Sequence, residues 1–474
     1  MTDHADEPPV TAPDSEQELS SSPANDADLI VESAKTPETV VAALPAGPED
    51  SQPESARSAE PVSSSPLAKP VPVQPDTWPD TGHDLEPKKL SRWKKALALV
   101  LVSVLVVLAL IGGWLGYAYY RPNGAEISPA LAYETWTAVD DGMHNSNTDM
   151  IYWRGAFYMI HASSPWHFGS SECKLVLHRS PDARDWDTIA EFRAPGDSGV
   201  RDIRDPKFAA IGERLYLYVL INDSRMATPE ATSMTYTTDG ENWAELREID
   251  PKGWLFWRPK TRDNITWYCP AYWREHGKSA LLKSTDGEHW EQVSIIHEGD
   301  ANDETDCEFL PDGRLVATAR LEVAPDTIFG NKLGRTLIAT AGPPYEHWLY
   351  ATSYTTRLDG PYLFEYKGEV YAFGRRNPDP NNWPTNTASI LGRKRTALYK
   401  VDSEALTWLT DLPSAGDTSY AGVVLDGDAL YACYYTSDIT RDWPWIIGML
   451  SPSEIRMVKI ELPSLAALAA KTMQ

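Results

Sequence analysis

Thr237-Thr238-Asp239-Gly240-Glu241-Asn242-Trp243 returns as Ser284-Thr285-Asp286-Gly287-Glu288-His289-Trp290. With a looser turn it returns again as Ser180-Pro181-Asp182-Ala183-Arg184-Asp185-Trp186. Weaker echoes end at Trp348 and Trp408, so successive tryptophans stand 57, 47, 58 and 60 residues apart. The unit has a local logic: Ser/Thr and Asp side chains bond turn backbone, Gly takes a positive φ, and Trp packs inward. It predicts outer hairpins with a structural role, away from any chemistry. Between the units lie short apolar or alternating runs, such as Phe157–Ile160, Leu215–Tyr218, Leu315–Thr318, Glu369–Phe373 and Ala429–Ala432. Many follow turn pairs such as Asp312-Gly313 or Lys367-Gly368, which marks them as strands joined by tight turns. A period of about 55 residues gives six units, and a four-stranded propeller blade needs about 40–50 residues. The expected fold is all-β, a six-bladed β-propeller over 136–463, with a C-terminal tail at 464–474.

The chain before the repeat is of a different kind. Residues 1–87 hold 15 of the 37 prolines and 18 acidic against 3 basic side chains. Such a composition buries too little apolar surface to offset its ordering entropy. A disordered acidic tail, its partner unknown, is the expectation. Residues 88–95 carry five cations, and 96–120 run 25 residues without a charge. That is long enough to span a bilayer once, with Trp93, Tyr117, Tyr119 and Tyr120 at the interfaces. Only Arg121 follows directly, so the positive-inside rule places the N-terminus in the cytoplasm and a 121–135 stalk and the propeller outside.

The net charge of −25 argues against nucleic-acid binding. Four cysteines without C-x-x-C spacing argue against a zinc ribbon, an iron–sulfur cluster or a dense disulfide scaffold. Cys307 reads as a small buried hydrophobe. His144, His161 and His167 lack a close ligand pattern, so neither a metal nor another cofactor is expected. The first strand of each propeller blade lines the channel, and function sits at one mouth. Counting back from the hairpins puts Asn147–Asp149, Arg201–Asp205, Leu255–Arg258, Glu304–Glu308, Tyr362–Tyr366 and Asp417–Tyr420 on those strands. So many ionisable and hydroxylated groups at packing positions point to a polar ligand site.

Glu304-Thr305-Asp306-Cys307-Glu308-Phe309-Leu310-Pro311-Asp312-Gly313-Arg314-Leu315, with Arg320 sixteen residues after Glu304, resembles a segment of the sialidase superfamily. Gly392–Tyr399 resembles the strand carrying a later arginine of that family, matched by Arg395. Asp417–Gly422 resembles the strand of its nucleophilic tyrosine, matched by Tyr420. The resemblance implies a glycoside hydrolase in which Glu304 takes the phenolic proton of Tyr420 while Arg320 and Arg395 hold a sugar carboxylate. The expected substrate is an external, anionic glycan or glycoconjugate. Two features depart from the family. The first blade reads His144–Tyr152 without an arginine, so Arg204 or Arg258 would have to supply a third guanidinium. The acid is not singled out, with Asp149 and Asp205 both open. Two other readings stand beside this one. One is a non-catalytic propeller that binds glycan or protein. The other is an inverting glycosidase pairing Asp149 or Asp205 with Glu304 across about 6.5–9.5 Å.

Overall fold

The computed structural model describes residues 91–195, 201–223, 228–324 and 327–473. The acidic tail expected over 1–87 lies outside them, as do residues 88–90 of the basic segment. Six antiparallel sheets succeed one another as the blades of a propeller. Their inner strands are His144–Trp153, Arg201–Ile211, Trp254–Phe256, Asn302–Phe309, Asp359–Tyr366 and Thr418–Asp426, in blades 1 to 6. Blade 6 takes its outer strand from far upstream: Tyr133–Val139 pairs antiparallel with Glu454–Glu461. That pairing covers a sheet edge and ties the two ends of the repeat together. Each blade packs through apolar side chains onto the next, as where Ala209, Tyr216 and Tyr218 of blade 2 meet Phe256, Leu282 and Trp290 of blade 3.

The repeated heptads close the hairpins between third and fourth strands of blades 1 to 3. Asp239 Oδ1 accepts from the backbone N–H groups of Glu241 and Asn242 at 2.9 and 2.8 Å. Thr237 Oγ1 accepts from Gly240 N–H at 2.9 Å. Trp290 returns its indole N–H to Gly287 O at 3.1 Å. Gly287 has φ +80°, and a Cβ there would lie 2.9 Å from Ile211 Cδ1 and 3.0 Å from Tyr216 Cε2 of the neighbouring blade. Gly287→Ala is therefore expected to cost about 1–2 kcal/mol in backbone conformation alone, and more through the clash. Denaturant unfolding checks it; an unchanged midpoint would mean that the hairpin does not hold the two blades together.

Among the described residues one helix, Arg92–Tyr120, is long and apolar enough to cross a membrane, and it is exposed over nearly its whole length. The chain that follows is pinned to the propeller. Asn123 Nδ2 donates to Ser414 O and Ile439 O at 3.1 and 2.8 Å. Glu126 N–H donates to Asp411 Oδ2 at 2.9 Å, and Ser128 N–H to Thr410 Oγ1 at 2.8 Å. At the other end, Leu462–Thr472 is a helix whose Leu462, Leu465, Leu468 and Ala469 join the blade 5–6 core.

In five blades the inner strand slips register near its start: Ser146/Asp149, Arg204/Lys207, Asn302/Thr305, Asp359/Tyr362 and Ser419/Gly422. Such bulges re-aim a side chain and end regular pairing. Four carry a residue at positive φ, namely Asn147, Asp205, Gly360 and Tyr420. The fold thus repeats one device around one mouth of the channel.

Candidate active site

The bulges bring Tyr420 of blade 6 against Glu304 of blade 4. The Tyr420 hydroxyl donates to Glu304 Oε1. Glu304 Oε2 accepts from Gly360 N–H at 2.7 Å and lies 3.1 Å from Arg320 Nη1. Burial raises the Glu304 carboxyl above its usual range, against the pull of Arg320. Burial, then the facing Glu304 charge, raises the Tyr420 phenol well above its ordinary value. The phenol is accordingly neutral near pH 7, and its proton has a base of raised affinity to go to. Tyr420 has φ +52° and Ser419 φ +120°, backbone conformations costly for non-glycine residues. Gly360 permits the contact. A Cβ there would stand 2.8 Å from Tyr420 Cγ and Cδ2, at a φ of +62°. Gly360→Ala is expected to displace the ring and sever the Tyr420–Glu304 bond. Its readout is loss of any Tyr420-dependent turnover or ligand binding in a variant that still folds by circular dichroism.

Around this pair runs a ring of buried aspartates at the starts of inner strands, each facing a guanidinium. Asp303 holds Arg320 through both oxygens, with Nε–Oδ1 at 2.7 Å. Asp202 holds Arg204 at 2.7 and 2.6 Å. Asp359 lies 2.7 Å from Arg357 Nε and 3.5 Å from Arg375 Nη1. Although burial opposes it, Arg357, Arg320 and Arg375 hold the Asp359 carboxyl far below the usual range. Arg375 also donates to Tyr435 Oη at 2.8 Å, and its guanidinium lies 5.3 Å from the Tyr420 ring centre. Asp417 is a hub: Oδ1 accepts from Trp445 Nε1 at 2.6 Å and Tyr435 Oη at 3.0 Å. Its Oδ2 faces His167 Nδ1 at 2.6 Å and His144 Nε2 at 3.1 Å.

The residues singled out in the sequence separate into three groups. Glu304, Arg320 and Tyr420 meet. Asp205 joins them at the mouth, where its charge adds to the raising of Tyr420 and where Asn147 Nδ2 donates to its Oδ1. Arg204 and Asp205 line a cavity of about 220 Å³ with Leu220, Leu255, Tyr272 and His276. Its walls Leu220, Leu255 and Tyr272 belong to the cluster that packs on Tyr420. Asp149 and Arg258 instead pair with each other at 3.2 Å inside the channel. They line a second cavity, of about 370 Å³, together with Lys260 and Tyr362. Arg395 points away: its guanidinium goes to Asp442 and Lys394 O, at the start of a third strand. The guanidinium of blade 5 that reaches Tyr420 is Arg375. Its signal in the sequence is positional, since Arg375 and Arg320 are both the penultimate residue of a second strand.

Two groups of side chains could hold a metal ion among the described residues: His144, His167 and Asp417, and His276, Asp303 and Glu322. In the second, Arg320 already takes both oxygens of Asp303.

No protein-family profile matches the chain, and no curated protein matches it. Solved structures do. A Dyadobacter fermentans protein of unknown function matches at TM-score 0.51 and 13% identity, over 70% of this chain and 100% of its own. The endosialidase of phage phi92 matches at 0.53 and 10%, over 70% and 69%. Trypanosoma rangeli sialidase, in complex with the inhibitor DANA, matches at 0.53 and 12%, over 73% of this chain and 62% of its own. The chain therefore spans less than two thirds of the length of that sialidase. At these identities the likeness is one of fold: the chain carries the six-bladed propeller that sialidases share.

Proposed function

We propose that the propeller is a glycoside hydrolase, carried on the outer side of a membrane by the helix Arg92–Tyr120. The observation that supports it most is the hydrogen bond from Tyr420 Oη to Glu304, at the mouth beside a cavity. Attack by the phenol on an anomeric carbon needs its proton removed, and Glu304 is placed to take it. Tyrosine is an exceptional nucleophile among retaining glycosidases, and a carboxylate partner is what makes it workable. Asp205, partly exposed on the cavity wall, is the group placed to protonate a leaving oxygen. Asp149 is not, because Phe208 N–H and Arg258 engage its two oxygens within the channel.

One observation favours a neutral glycan or a non-catalytic glycan-binding propeller. Asp202, Asp303, Glu304, Glu322, Asp359 and Asp417 already stand within ion-pair distance of Arg204, Arg320, Arg357 and Arg375. A sugar carboxylate would have to compete with them. The test is hydrolysis of a panel of aryl glycosides, sialosides included, by the full chain in detergent or vesicles. Because Glu304 must be ionised to act and its affinity for protons is raised, turnover should rise with pH through a midpoint above the usual carboxylate range. Glycan binding without hydrolysis of any member of the panel would move the assignment to the binding module.

A further inference from the structure

Among the described residues, the second-to-third strand connections of the blades lie at the mouth that holds Tyr420, and the heptad hairpins lie at the opposite face. The membrane helix ends at that same mouth. Tyr119 stacks on Trp443 with ring centres 5.3 Å apart, and Trp443 Nε1 donates to Tyr119 O at 3.0 Å. Asp442 N–H donates to Arg121 O at 2.8 Å, and Pro122 bridges to Arg441. Trp443 belongs to the blade 6 connection 437–453. Two residues on, Trp445 bonds Asp417 and lies under Arg375. No free spacer therefore separates the end of the helix from the rim of the site.

The rim is apolar where it has no packing reason to be. Ile328 and Phe329 in the blade 4 connection and Trp383 in that of blade 5 are exposed, Trp383 by 74%. The Phe329 and Trp383 rings pack on each other at 5.5 Å. Leu450 extends the rim on blade 6, and Trp166 and Phe168 extend it on blade 1. Bonds between connections hold these parts together: Ile390 N–H to Ile328 O, Ile446 N–H to Ile390 O, and His167 N–H to Met449 O. Exposed aromatic and aliphatic side chains around a polar centre suit a membrane interface, where aromatic rings sit at headgroup level.

We infer that the Tyr420 mouth faces the outer leaflet of the bilayer that its own helix crosses, and that its substrate is a glycan carried by that membrane. The occupant is the lipid surface, since the continuity of helix, Trp443 and rim leaves the leaflet nearest to these side chains. The substrate half of the inference rests on the hydrolase reading; the orientation does not.

The full chain in phosphatidylcholine vesicles tests both. All four cysteines are buried, so single reporter cysteines can be labelled with an environment-sensitive fluorophore. Trp383→Cys should be quenched by spin-labelled lipid and shielded from aqueous iodide; Glu241→Cys, on a hairpin, should behave oppositely. Equal iodide quenching at the two positions overturns the orientation. Shielding of position 383 without lipid quenching assigns the rim to a protein contact and overturns it as well. The double variant Phe329→Ser/Trp383→Ser should hydrolyse a lipid-borne glycoside about tenfold or more slowly, because the mouth is no longer seated on the leaflet although the helix still anchors the chain, with a soluble glycoside of the same sugar unaffected. An equal effect on both substrates removes the membrane-borne substrate. Wild-type protein inert on both would end the hydrolase reading while leaving the labelling result to stand.

Discussion

Tyr420→Phe is expected to abolish turnover, by on the order of 10³-fold or more, while leaving the fold and ligand affinity in place. The substitution removes one oxygen. Its ring contacts with Trp257, Tyr435 and the Arg375 guanidinium are made by carbon atoms that phenylalanine keeps. The oxygen itself has Glu304 as its partner, and Glu304 retains Arg320 and Gly360 N–H. Glu304→Gln makes a complementary variant: the amide cannot take a proton, so turnover should fall by about 10²–10⁴-fold and its acid limb should vanish. Steady-state hydrolysis of the best aryl glycoside, with melting curves for each variant, separates the cases. Hydrolysis that survives Tyr420→Phe would remove the tyrosine from the chemistry. Glu304 would then need a second carboxylate across a water, and of Asp149 and Asp205 it is Asp205 that lies at the mouth.

What the sequence disclosed follows physical range. The heptads are readable because the bonds that Asp and Ser/Thr side chains make to shape their turns lie within three residues, as between Asp239 and the Glu241 and Asn242 amides. Six blades followed from their spacing. The outer strand of blade 6 did not, because Tyr133 pairs with Ile460, and no local pattern announces a partner so distant. The site divides in the same way. Glu304, Arg320 and Tyr420 stand in segments whose residue pattern resembles sialidases. Arg375 has no such segment, and Arg395 matches the family by its local surroundings alone. Across the ladder Arg375 pairs with Thr396 and Arg376 with Arg395, so the two candidates lie on adjacent strands. Which one reaches Tyr420 depends on the side of the sheet that each faces. Of the aspartate ring, Asp202 and Asp417 stand in channel strands legible in the sequence, whereas Asp303 and Asp359 do not, since each takes Arg320 from another strand.

Arg320→Met is expected to destabilise the fold by about 3–5 kcal/mol, because it strands buried carboxylates without their cation. Asp303 and Asp359 are fully buried, and Arg320 lies within ion-pair distance of both, of Glu304 and of Glu322. Arg320→Lys keeps the charge but loses the fork that fits both Asp303 oxygens, so it should retain much of the stability. Denaturant unfolding orders the three proteins, and the order bears on function. If Arg320 served only to clamp a substrate carboxylate, the methionine variant would unfold with the wild-type midpoint and lose anionic substrates alone. The pH dependence should agree. Arg357, Arg320 and Arg375 depress Asp359 in the folded protein, so its contribution is present above the unfolded carboxylate pKa. That contribution is lost as pH falls toward the folded value. Removing Arg320 lessens the depression, so Asp359 contributes less and its loss should be complete at higher pH in Arg320→Met than in the wild type. Coincident acid transitions in the two proteins would show that Arg320 is spare to the ring and free for a ligand.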